Sequence, residues 1–82
     1  MVTSESIKKH IETSMPCELV EVAGDDGRHF EAVIVSAEFR DKNMVQQHQL
    51  VYRVLGDRMK QEIHALSMKT LTPEQWAKTS QS

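Results

Sequence analysis

Four histidines and a single cysteine are the side chains in this chain whose chemistry most invites a metal or thiol reading. His64 enters the stretch IHALSMKTLTPEQW, from Ile63 to Trp76, whose first half alternates through Leu66 and Met68 as a strand does. An imidazole in that place is either a hydrogen-bonded strand residue or a ligand for a borderline metal, with its second nitrogen fixed by an outer partner. His29 opens an earlier strand-like run, where it is either a solvated strand-end residue or a side chain able to reach a partner. His48 falls on the apolar seam of a helical stretch and reads as a packing residue. His10 falls on the polar side of another and reads as solvated. Cys17 reads as a small apolar residue, and Glu18 beside it would raise the thiol pKa. No cysteine or hydroxyl is supported by a base at a spacing that would make it a nucleophile, so an enzyme is not expected.

These residues need elements to position them. Residues 2–15 predict a helix with Thr3 as N-cap, Val2 and Ile7 as a hydrophobic staple, and an apolar stripe of Ile7, Ile11 and Met15 closed by Pro16. Cys17 to Ala23 and His29 to Ser36 predict two antiparallel strands around the turn Gly24-Asp25-Asp26-Gly27, in which two glycines can take positive φ. In the second strand Phe30, Ala32 and Ile34 share one face while Val33 and Val35 share the other, the pattern of a central strand. Phe39 to Asn43 reads as a polar connection. Met44, His48, Val51 and Leu55, widened by Val45, Tyr52 and Met59, predict a second helix that Gly56 interrupts, with a short continuation through Glu62. A third strand carries His64. Thr72, Pro73 and Gln75 then form a capping box with Pro at the first helical position, flanked by the staple pair Leu71 and Trp76. The order α-β-β-α-(α)-β-α predicts an α+β fold, a three-stranded sheet with helices on one face. The helical crossover before the last strand is long enough for parallel pairing.

With 82 residues there is room for one small domain, expected over 1–78 with a flexible polar tail at 79–82, and none for a deep substrate cavity. A net charge of −2 and a pI near 6.0 do not mark the whole chain for nucleic acid. One cysteine excludes an internal disulfide, and no apolar run reaches the ~20 residues that span a bilayer. A cytoplasmic protein is expected.

Four blocks in order carry a family resemblance: GDDGRHF at 24–30, IVSAEF at 34–39, QHQLVY at 47–52, and the stretch from His64 to Trp76. Together they resemble the BolA family, of the short bacterial, compact-loop type, across nearly the whole chain. The resemblance implies a fold like that of class II KH domains. It also implies a non-enzymatic partner of monothiol glutaredoxins, active in iron–sulfur trafficking, iron homeostasis and stress response. In such a pair a bridging 2Fe–2S cluster is held by a glutaredoxin cysteine, a glutathione thiol, His64, and a loop ligand for which His29 is the only nitrogen or sulfur donor in the loop. No cofactor is expected on the free protein, which would be a monomer or weak homodimer.

A second reading is a transcriptional regulator that binds DNA. Its basic residues would be Arg53, Arg58, Lys60 and Lys69, although they alternate with Asp57 and Glu62 as a solvated face does. The Gly24–Gly27 spacing matches the GxxG of KH domains, but it lies between strands and its aspartates would repel phosphate. Where relatives carry glycine, arginine and arginine, this chain has Asp41, Met44 and Gln47, and the loss of two cations weakens phosphate contact.

Overall fold

A computed structural model describes residues 3–24, 29–62 and 65–81, with the backbone alone at 57–62, 65, 80 and 81. Thr3 starts helix α1 (Ser4–Ser14) by accepting from the Ser6 amide at 3.1 Å, while Ser6 Oγ accepts from the Thr3 amide at 2.9 Å. The expected N-cap is thus completed by a serine at the third helical position. Val2, half of the expected staple, lies outside the described residues. Ile7, Ile11 and Met15 are buried, and Pro16 prevents further helical turns.

Strand β1 (Leu19–Ala23) pairs antiparallel with β2 (His29–Val35), from Leu19 opposite Val35 to Ala23 opposite Glu31. Strand β3 (Ala65–Leu71) pairs parallel with β2 on its other side, from His29 opposite Ala65 to Val35 opposite Leu71. The order β1-β2-β3 makes β2 central. Its alternation agrees: Phe30, Ala32 and Ile34 are buried in the core, and Val35 on the other face is also fully buried. The turn residues 25–28 lie outside the described residues. Gly24 does not use a positive φ. Its hydrogen is required by proximity, because a Cβ there would sit 2.6 Å from Phe30 Cδ1 and 2.7 Å from the His29 carbonyl oxygen.

The connection after β2 is less polar than its sequence implies. Ser36 caps a 3₁₀ turn, Ala37–Phe39, by accepting from the Glu38 amide at 3.1 Å, and its hydroxyl donates to the Pro16 carbonyl at 2.6 Å. That turn drives Phe39 to full burial in the core. The residue expected in a polar connection is therefore a core aromatic.

Helix α2 spans Met44–Glu62 and is broken at Gly56, where φ is 78° and ψ 167°. Asn43 caps its start through a box with Gln46 (2.8 and 2.9 Å). Its inward face keeps Val51 and Leu55 of the expected seam but not its start: Met44 and Val45 are 68% and 65% exposed, and Gln47 is buried instead. Spacing of i, i+4, i+8 is kept with a glutamine as its first member. Gln47 is tolerated because its amide is satisfied. Nε2 donates to the carbonyls of Lys42 (2.8 Å) and Phe39 (3.2 Å), and Oε1 accepts from Thr70 Oγ1 at 2.5 Å. Position 47 thus faces the core, and its lack of charge bears on packing, not on phosphate contact.

His10 is likewise not solvated. Its Nε2 donates to the Val54 carbonyl at 2.9 Å, tying α1 to α2 two residues before the break. Helices α1 and α2 supply Ile7, Ile11, Val51 and Leu55 to one core with Val20, Phe30, Ala32, Ile34 and Phe39. Helix α3 (Pro73–Gln81) opens with the expected capping box, in which Thr72 and Gln75 exchange bonds of 2.9 and 3.1 Å. It continues through Gln81, so the residues expected as a tail are helical to that point. Arg40, just past the 3₁₀ turn, holds Glu74 in a two-point ion pair. No helix among the described residues is long and apolar enough to cross a membrane.

Candidate functional site

The register of the parallel pair builds the candidate site. His29 is the first residue of β2 and Ala65 the first of β3, and the two are in-register partners. Neighbouring strands lie about 4.8 Å apart, and parallel strands share direction, so both begin at the same end of the sheet. The His29 side chain is exposed, on the sheet face opposite buried Phe30. His64 precedes Ala65 in the chain and lies outside the described residues. The crossover through α2 is what returns the chain to the starting end of β2.

Local structure explains why His29 is held there. Phe30 anchors the next position in the core at 2% exposure. Gly24 lies against both the Phe30 ring and the His29 carbonyl. Any larger residue at position 24 has to displace the backbone that carries His29. Among the described residues no group of three or more His, Cys, Asp or Glu side chains could hold a metal ion.

The other sequence candidates scatter. Cys17 is half-buried against the core. Burial, and then the Glu12 carboxylate, push its thiol pKa up, against a smaller lowering by the Ser36 hydroxyl. That is the opposite of what a nucleophile needs. Arg53 is exposed on α2 and Lys69 on β3, but they line different depressions, with Lys42 common to both. The side chains of Arg58 and Lys60 lie outside the described residues. His48 is half-buried, and its Nε2 is shielded from water with no hydrogen-bond partner among the described residues. The sequence reading missed the cavity that His48 lines with Lys42 and Lys69. No local signal marks it, since its walls come from α2, β3 and α3.

Comparison with known proteins gives four findings. A family model described as BolA-like protein matches residues 1–75. The chain is 36% identical to Protein BOLA2 of Arabidopsis thaliana over 85 aligned residues, covering 99% of this chain and 90% of that one. It is 46% identical over 48 residues to the DNA-binding transcriptional regulator BolA of Haemophilus influenzae, covering 58% of this chain and 47% of that protein. Here the match spans about half of the relative's length. Among solved structures, a bolA protein homologue from Coxiella burnetii superposes with a TM-score of 0.82 at 42% identity, covering 94% of this chain and 99% of that one.

Proposed function

Because this chain belongs to the BolA-like family, we propose that it is a non-enzymatic adaptor for a monothiol glutaredoxin. In this reading it co-ligates a bridging 2Fe–2S cluster through His64 and His29 and acts in iron–sulfur trafficking and iron homeostasis. The observation that carries the proposal is the register of β2 with β3. It pairs His29 with Ala65, the residue that follows His64 in the chain.

The donor set fits a shared cluster better than a resident metal. The register starts β2 at His29 and β3 at Ala65, directly after His64 in the chain, and two imidazoles are half of a four-donor set. The remaining ligands would be a glutaredoxin cysteine and a glutathione thiol. Neutral histidines in place of two thiolates make the cluster less negative and raise its potential, as in Rieske centres. What this chain contributes is orientation: His29 is carried by a strand anchored through Phe30, and Gly24 packs against the His29 carbonyl.

The test is visible absorption and circular dichroism after mixing the protein with a monothiol glutaredoxin, glutathione, iron and sulfide. Wild type should give a spectrum distinct from that of the glutaredoxin homodimer. His64→Ala should abolish the distinction, and His29→Ala decides the second ligand. An unchanged glutaredoxin spectrum together with no measurable binding would sink the adaptor reading. The second reading, a DNA-binding regulator, draws on the name of the Haemophilus relative. It requires sequence preference and an affinity that falls steeply with salt.

A further inference from the structure

Strand β3 is an edge strand, paired only with β2 among the described residues. Its outer row of backbone N–H and C=O groups has no partner strand, and such an edge is a template for another chain. A cavity of about 330 Å³ opens beside it, lined by Lys42, Met44, Gln47, His48 and Gln75 together with Met68, Lys69, Thr70 and Leu71. Side chains alternate along a strand. Four consecutive strand residues can share one cavity only if it runs along the strand's edge, where the backbone itself forms a wall.

The chemistry of that wall is one-sided. Two ammonium groups, Lys42 and Lys69, stand on it and no carboxylate lines it. The Lys42 ammonium donates to the Glu38 backbone carbonyl at 3.0 Å, so its charge is not neutralised by that contact. Lys69 is exposed and has no ion pair among the described residues. His48 also lines the cavity, and its Nε2 is shielded from water without a hydrogen-bond partner among the described residues, a polar group that is costly to leave unsatisfied. Gln47 cannot serve in its place, because its amide is committed to Phe39, Lys42 and Thr70. Exposed Met44 supplies apolar surface at the mouth.

We propose that the free edge of β3, at residues 68–71, takes an extended acidic peptide segment of a partner protein as an added strand. One acidic side chain enters the cavity toward Lys69, Lys42 and His48. Strand addition draws affinity from main-chain hydrogen bonds and specificity from pockets for alternate side chains. The edge and the cavity supply one of each. A nucleic acid would meet the two cations but could not pair with alternating N–H and C=O groups along the strand. A second copy of this chain would bring another Lys69 to a wall that already carries two cations. The inference does not rest on the cluster reading, since it concerns the opposite end of β3 from Ala65.

The experiment is amide NMR on the ¹⁵N-labelled full chain, titrated with the blocked pentapeptide acetyl-Val-Glu-Val-Glu-Val-amide. Controls are its lysine counterpart, its backbone N-methylated form, sodium glutarate and a single-stranded DNA oligonucleotide. The acidic peptide should shift the amides of 68–71 and 44–48 and slow hydrogen exchange along β3, whereas the lysine and N-methylated peptides should not. Lys69→Glu, an exposed change that leaves the core intact, should weaken binding about fivefold. His48→Ala should weaken it as well. The proposal is overturned by any of four results: no shift at 68–71, equal effects from glutarate, tighter binding of the oligonucleotide to the same residues, or dimerisation through β3 in light scattering.

Discussion

Position 41 carries an aspartate at φ 63°, the left-handed region that an L side chain enters at a cost. Aspartate is among the side chains that tolerate the region best, which is how the turn before α2 survives without glycine. Stability should therefore rank Asp41→Gly above wild type and wild type above Asp41→Ala, with steps of about 0.5–1 kcal/mol. Urea midpoints would measure it, and an alanine variant as stable as wild type would remove the strain argument. Gln47 shows the same scale from the other side. A polar group sits at 7% exposure because three hydrogen bonds close around its amide. The position that looks like a lost surface cation is a core junction joining the 3₁₀ turn, α2 and β3.

Among the elements, α2 decides where the chain delivers β3. Gly56 breaks it at φ 78° and ψ 167°, and a Cβ added there would meet nothing within 4 Å. The need for glycine is wholly conformational, unlike Gly24, where the need is wholly steric. His10 clamps the carbonyl of Val54 just ahead of the break. Gly56→Ala is expected to cost about 1–2 kcal/mol through backbone strain alone. His10→Ala is expected to cost about 1 kcal/mol through the lost bond. Chemical denaturation checks both. Near-wild-type stability of Gly56→Ala would show that α2 can run on without the break.

Across the whole molecule, the Arg40–Glu74 pair joins the connection after the central strand to the first turn of the last helix. The Arg40 hydrogen bond, together with its charge, holds the Glu74 carboxyl below the ordinary glutamate range, while partial desolvation opposes. A depressed folded-state pKa contributes stability that is present above the unfolded value. That stability is lost as pH falls through the folded one. The gap in stability between wild type and Glu74→Gln should therefore be widest near neutral pH. It should close on acidification below the glutamate range and shrink in salt, because both partners are exposed. A gap that widened in acid would contradict the pairing.

Much of this protein is local, and local features were legible in its sequence. Thr3 and Thr72 caps, the Pro16 stop, the two-sided pattern of β2 and the Gly56 break each follow from interactions within about one helical turn or one pleat. The family resemblance came through for the same reason, since its blocks are runs of neighbouring residues. Only the tertiary structure decided that Phe39 is core, that His10 bonds across to α2, and that Gln47 replaces Met44 on the buried face. It also set the pairing of His29 with Ala65 and the placement of His48 between Lys42 and Lys69. In each case the partner is contributed by another part of the fold, and periodicity along the chain carries no information about which side chain waits across the gap. His29 and His64 could be named from their types, but the pairing of His29 with Ala65 is a property of the register between β2 and β3.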